Sequence, residues 1–133
     1  MKLIVIDGQG GGFGRALITA RESGFSDEIL AIGTNSAATA AMLKAGATAG
    51  ATGENAVIVN AMRAEVIAGP IGLIMANSML GECSPSMAAA VAESPAKKIL
   101  LPVTKCSVQV AGLPEKTLGA YIADAVTRIR ALL

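Results

Sequence analysis

Read for the spacing of apolar positions, the chain opens with "KLIVID", a short apolar run best taken as a buried strand. From Phe13 the period changes. Phe13, Ala16, Leu17 and Ala20 follow the i, i+3, i+4, i+7 spacing of a helix face. "ESGFSDE" reads as a turn with Gly24 just past the helix end, and "EILAIG" as a second strand. "TNSAATAAMLKAGA" offers Thr34, Asn35 or Ser36 as an N-cap, then an alanine-rich helix stopped by Gly46. A short third strand is expected near Ala47 to Gly50, with Thr52 capping a helix over "ENAVIVNAMR".

The second half repeats the rhythm. "AEVIAG" is a fourth strand. "PIGLIMANSML" is expected to be a buried helix with Pro70 in its first turn, broken by Gly81 and Pro85. "SPSMAAAVAES" is a further helix, "KKILLPV" a fifth strand and "SVQVAG" a short sixth. A last helix starts near Pro114, with Leu118, Ile122, Ala125, Ile129 and Leu132 on one face. Strands alternating with helices predict an α/β chain: a three-layer α/β/α, Rossmann-like, doubly wound and mostly parallel sheet, in one domain over residues 1–133.

Composition narrows the partners. Apolar residues make up 53% and charged ones 16%, the reverse of a disordered chain. So few charges leave little to cover a surface, which points to a homo-oligomer. The net charge is +1, the basic residues are scattered, and only Phe13, Phe25 and Tyr121 are aromatic, so no nucleic-acid partner is expected. The uncharged stretch between Glu65 and Glu82 is shorter than the roughly 20 residues a membrane helix needs, and Pro70, Asn77 and Ser78 interrupt it. With no signal peptide after Lys2, no CxxC pair from Cys83 and Cys106, and no histidine, the expectation is a cytoplasmic protein with reduced thiols and no zinc site.

The informative stretch is "DGQGGGFG", residues 7–14. In a doubly wound sheet ligands bind beyond the carboxyl ends of the strands, where the strand order reverses, between strands one and four. Strand one ends in this loop and strand four in "AGPIG". Backbone N–H groups there, with the positive end of a following helix, suit an anion. The candidate cofactor-binding residues are therefore Asp7, Gly8, Gln9, Gly10, Gly11, Gly12, Phe13 and Gly14, with Thr34 and Asn35 at the second strand end and Gly69, Pro70 and Gly72 at the fourth.

The P-loop pattern GxxxxGK[ST] fails, because Arg15 and Ala16 follow Gly14. Gly8, Gly12 and Gly14 fit GxxxGxG instead, which resembles the cofactor loop of short-chain dehydrogenases over about the first 20 residues. That resemblance implies binding of an NAD(P)-like cofactor. It stops before the catalytic Y-x-x-x-K pair, since Ala125 stands four places after Tyr121. Over nearly the full length, "DGQGGG", "GTNSAATAAMLKAGA", "GATGENA", "GPIGLIMANSMLGE" and "SPAKKILLPV" resemble the uncharacterised domain-of-unknown-function family numbered three-eight-four-two. That resemblance implies no substrate.

The second strand ends in "GTNS", without the carboxylate that usually holds an adenosine ribose, so NAD and NADP stay equally open. Asp7 has three readings. It accepts hydrogen bonds from its own loop, binds Mg²⁺ that bridges to a phosphate, or reads a ligand hydroxyl. Lys105 and Cys106 follow strand five; Asn77, Ser78 and Glu82 either line the crevice or cap a helix break; Glu54 serves a helix N-terminus. No catalytic residue is assigned. Two functions stay open: a small nucleotide or dinucleotide binder, including a minimal oxidoreductase, and a non-enzymatic metabolite or phosphate sensor or assembly protein.

Overall fold

The computed structural model describes residues 2–21, 28–103 and 108–133. Gly24 with its turn, Lys105 and Cys106 lie outside the described residues, as does Ser107 at the head of the expected sixth strand. The described residues form five strands: β1 (Leu3–Asp7), β2 (Ile29–Gly33), β3 (Ala49–Thr52), β4 (Val66–Pro70) and β5 (Lys97–Leu101). Among the described residues they alternate with α1 (Gly12–Ala20), α2 (Ser36–Lys44), α3 (Glu54–Ala61), α4 (Pro85–Glu93) and α5 (Leu118–Leu132).

The sheet is parallel throughout, in the order β3-β2-β1-β4-β5. The chain runs outward from β1 to β3, then crosses back through α3 to β4. The order therefore reverses between β1 and β4. Both are central strands covered by helices on each face, which is why they are apolar almost without a break and buried at every position. Successive side chains of β1 point to opposite faces. Leu3 and Val5 pack with Leu17, Ile18, Met42, Ile122 and Ile129 under α1, α2 and α5. Ile4 and Ile6 pack with Val57, Ala61, Met87 and Val91 under α3 and α4. The edge strand β5 carries Lys97 and Lys98. Lys98 Nζ folds back to donate to the Ser94 carbonyl (2.7 Å), at the end of α4, where a cation suits the helix dipole.

Caps set the helix starts. Asn35 caps α2, its side chain accepting from the Ala38 N–H (2.9 Å). Ser84 caps α4 with Pro85 just inside, and Thr117 caps α5. Gly46, with φ of 115°, follows the end of α2. Thr52 does not cap α3. The N-cap is Gly53, without a side-chain bond, and Thr52 ends β3 with its hydroxyl 2.7 Å from that of Thr39.

Two expected elements are absent. The "PIGLIMANSML" helix is only a 3₁₀ turn at Ile71–Ile74, with Pro70 ending β4. Beyond it, Asn77, Met79, Leu80 and Gly81 take positive φ and the backbone doubles back, Asn77 N–H donating to the Cys83 carbonyl (2.7 Å). Asn and Ser compete with helix by bonding nearby backbone, as Ser78 Oγ does here to the Gly72 carbonyl (2.5 Å). Val108 to Val110 form no sixth strand, and Val108 and Val110 are exposed. No helix among the described residues is long and apolar enough to cross a membrane.

Candidate functional site

The register puts Asp7 beside Gly33, so the loop after β1 and the turn after β2 lie side by side. Thr34 N–H donates to the Asp7 carbonyl (3.0 Å), and Asn35 Nδ2 to the Gln9 carbonyl (2.9 Å). The two sequence-predicted groups, residues 7–14 and Thr34 with Asn35, are thus one surface. Thr39, which sequence reasoning passed over, holds the base of that surface. Its hydroxyl accepts the Gly33 N–H (3.1 Å) and ties α2 to the ends of β2 and β3.

Asp7 is the organiser of the loop. Its Oδ1 accepts the Gly8 N–H (2.8 Å) and its Oδ2 the Gly14 N–H (2.7 Å), closing the loop onto the start of α1. Burial pushes the carboxyl above its ordinary pKa, the N–H groups of Gly14, Gly8 and Phe13 act against that push, and the nearby Glu82 carboxylate adds to it. Of the three readings of Asp7, this geometry is the first. Among the described residues no group of three or more His, Cys, Asp or Glu gathers into a metal-binding set.

The five glycines divide into two groups. A Cβ on Gly8 would lie 2.7 Å from Met79 Sδ and from Thr34 Oγ1. On Gly11, held at φ of 73°, it would lie 2.9 Å from the Ala38 carbonyl oxygen. On Gly14 it would overlap Met42 Sδ and sit 3.2 Å from Asp7 Cβ. These three let loop, α1, α2 and the later segment approach closely. Gly10 and Gly12 are different: a Cβ on either meets nothing within 4 Å. Their N–H groups also make no hydrogen bond to any described residue, while Gly8, Gln9, Gly11, Gly14 and Arg15 all donate. The N-cap residue Gly11 has no side chain to cap α1, and the Asp7 carboxylate takes that role through the Gly14 N–H.

The β4 side of the crevice corrects the expectation of a second α-helix end there. Gly69 is required because a Cβ would overlap the Ile6 carbonyl, and Pro70 and Gly72 are buried in the turn that follows. Gly72 anchors Ser78, the root of the segment 75–83. That segment returns over the glycine loop and delivers Glu82. Glu82 Oε1 accepts the Gln9 N–H (2.9 Å), the Thr34 hydroxyl (2.7 Å) and the Asn35 Nδ2 (2.6 Å). Burial raises its pKa, but the hydrogen bonds from Thr34, Gln9 and Asn35 prevail and hold it below the ordinary value. The carboxylate missing from the end of β2 in the sequence is therefore present in space, supplied from beyond β4. A lone glutamate nearly fifty residues away carries no sequence signal for that placement.

Other candidates fall elsewhere. Glu54, in the first turn of α3, accepts the Ser84 hydroxyl (2.5 Å), linking two helix starts as expected for a residue serving a helix N-terminus. Cys83 is a buried free thiol, its pKa pushed up by burial. Tyr121 donates to the Pro114 carbonyl (3.0 Å), within the approach to α5. A groove of about 310 Å³ lies between α1 and α5, lined mainly by small and apolar side chains such as Ala20, Ile122 and Val126, with Arg130 among them. It shares no residue with the glycine loop.

A parallel sheet with a strand-order reversal and a glycine-rich first turn makes this a Rossmann-like α/β protein. The profile of the domain-of-unknown-function family DUF3842 matches residues 2–133, and the chain belongs to that family. No curated protein and no solved structure matches it.

Proposed function

We propose that the protein binds a nucleotide or dinucleotide, an NAD(P)-like cofactor included, with a phosphate over residues 8–14 at the N-terminus of α1. The observation that carries this reading is the pair Gly10 and Gly12. They lack neighbours at the Cβ position, and their N–H groups lack partners among the described residues. Packing within the chain explains Gly8, Gly11 and Gly14 and leaves these two over. N–H groups without a partner among the described residues attract an anion, and a missing side chain leaves room for one. Thr34 and Asn35, at the second strand end, donate to Glu82 Oε1 and would serve a ligand only with that carboxylate displaced.

Binding without conversion, as in a metabolite or phosphate sensor, is the second reading. What favours it is the state of the side chains around the loop. Both Asp7 oxygens are occupied by backbone N–H groups, Glu82 Oε1 by three donors, and the chain contains no histidine to act as a general base. Mg²⁺, if it accompanies the phosphate, would have to reach a buried Asp7 carboxylate that already accepts two N–H groups.

The test is a thermal-shift and calorimetry panel of NADH, NADPH, FAD, ATP, GTP, coenzyme A and inorganic phosphate. At about 100 times Kd, one bound ligand adds about 2.7 kcal/mol of stability. Gly12→Val fills the open space and should abolish the shift with the fold retained. A wild-type protein that responds to no member of the panel removes the nucleotide reading.

A further inference from the structure

Residues 75–83 form a strap with an unusual backbone. Asn77, Met79 and Leu80 are non-glycine residues at φ of 65°, 56° and 56°, followed by Gly81 at 90°. Side chains disfavour that region, so such a run persists only where other contacts hold it. The strap's tip places Leu80 in solvent, 97% exposed. What holds it on the loop is Met79 against Gly8, and Glu82. Three donors from two separate elements converge on one Glu82 oxygen: the Gln9 N–H, the Thr34 hydroxyl and the Asn35 amide. A backbone N–H, a hydroxyl and an amide N–H₂ around one point make a cluster of donors suited to any anionic oxygen, and this chain fills it with its own carboxylate.

We infer that Glu82 is a resident stand-in for the ligand's anionic oxygen, and that the strap 75–83 is an autoinhibitory cover which a phosphate-bearing ligand displaces from the glycine loop. The inference rests on the nucleotide reading for the ligand's identity, but not for the existence of the anion subsite. Its physical reason is exclusion by charge and by space. The Gln9 N–H that Glu82 uses is adjacent in the chain to the Gly10 N–H, which has no partner among the described residues. A phosphate at Gly10 and Gly12 and a carboxylate at Gln9 are like charges on neighbouring peptides, and they repel. Met79 Sδ and Glu82 Oε1 also occupy the space over Gly8. Ligand bound and strap docked are thus alternative states, and the apparent affinity is reduced by the fraction of molecules with the strap down.

The test removes the stand-in. Glu82→Ala is compared with wild type in inorganic phosphate, in formate and in chloride at matched ionic strength. Phosphate or formate should raise the melting temperature of Glu82→Ala by roughly 3 °C or more relative to chloride, and leave wild type unchanged. In a Cys106→Ser background, where Cys83 is the one remaining thiol of the chain's two, a thiol reagent should label Cys83 at least about tenfold faster in Glu82→Ala, and phosphate should not restore protection. Any nucleotide of the panel that binds wild type should bind Glu82→Ala more tightly.

Selective rescue by small anions supports the inference even if no nucleotide binds either protein, an outcome that sinks only the nucleotide reading. Nucleotide binding that is equal in the two proteins, or weaker in Glu82→Ala, overturns the inference and leaves the nucleotide reading standing. Absence of anion rescue in a folded Glu82→Ala overturns the inference as well. Should Glu82→Ala fail to fold, Glu82→Gln takes its place. It keeps an acceptor oxygen without the charge, so it should stay folded and bind nucleotide more tightly than wild type; no gain in affinity overturns the inference.

Discussion

Neighbouring glycines in the loop should respond oppositely to the same added methyl group. At Gly11, φ of 73° and the Ala38 carbonyl oxygen 2.9 Å from a Cβ both oppose a side chain, and the obstacle is backbone that cannot swing aside. The left-handed conformation costs about 1–2 kcal/mol for alanine, and forcing a methyl into packed surroundings adds about 1–3 kcal/mol. At Gly12 the backbone conformation is ordinary, nothing lies within 4 Å of a Cβ, and the residue opens α1. Alanine there should be neutral or stabilise by up to about 1 kcal/mol, because the unfolded chain loses freedom. Adjacent substitutions should thus differ by roughly 2–6 kcal/mol. For a domain of this size that is roughly 7–20 °C in melting temperature. Urea denaturation of Gly11→Ala and Gly12→Ala, with two-state fits and equal slopes, measures the difference directly. If Gly12→Ala proves as damaging as Gly11→Ala, Gly12 is consumed by folding, and the argument that it is kept for a ligand is wrong.

Asp7→Asn keeps the shape but gives one of the two loop N–H groups a donor to face, and should cost about 1–3 kcal/mol in urea denaturation; an unchanged midpoint would show that the carboxylate does not organise the loop. Ser94, buried, donates to the Ala61 carbonyl and accepts the Ala96 N–H (3.0 Å), so Ser94→Ala should cost about 1–3 kcal/mol by the same assay. Glu82 and Asp7 should respond to acid with opposite signs. Glu82's pKa is lowered on folding, so its stabilisation is present above the ordinary carboxylate value and lost as pH falls through the folded pKa; Asp7's is raised, so its contribution is present below the ordinary value and lost as pH rises through the folded one. Urea midpoints followed from neutral into acid pH should fall less steeply in Glu82→Gln than in wild type, and a steeper fall contradicts the Glu82 sign. The exposed Leu80, Ile74 and Val110 lead us to expect a dimer or larger assembly, which light scattering at micromolar concentration would refute by returning a clean monomer mass.

The sequence by itself determined the alternation of elements, and through it the parallel sheet. Buried central strands such as "LIVID" read as continuous apolar runs, and helices such as "SPSMAAAVAES" announce their starts with Ser84 and Pro85. Those signals are local, set by side-chain period and capping chemistry within a few residues. It also determined the unusual glycine content of residues 7–14. Which glycines serve packing is another matter. Gly11 is fixed by Ala38 and Gly14 by Met42, more than twenty residues away, and Gly10 and Gly12 are distinguished only by having no such neighbour. The sequence was misleading over "PIGLIMANSML". Its apolar spacing suits a helix, yet the Ser78 hydroxyl bonds back to the Gly72 carbonyl and the Asn77 N–H to the Cys83 carbonyl, and the segment becomes a strap. Only the tertiary structure brought Glu82 to Gln9, Thr34 and Asn35, because pairing β1 with both β2 and β4 places the ends of distant strands side by side.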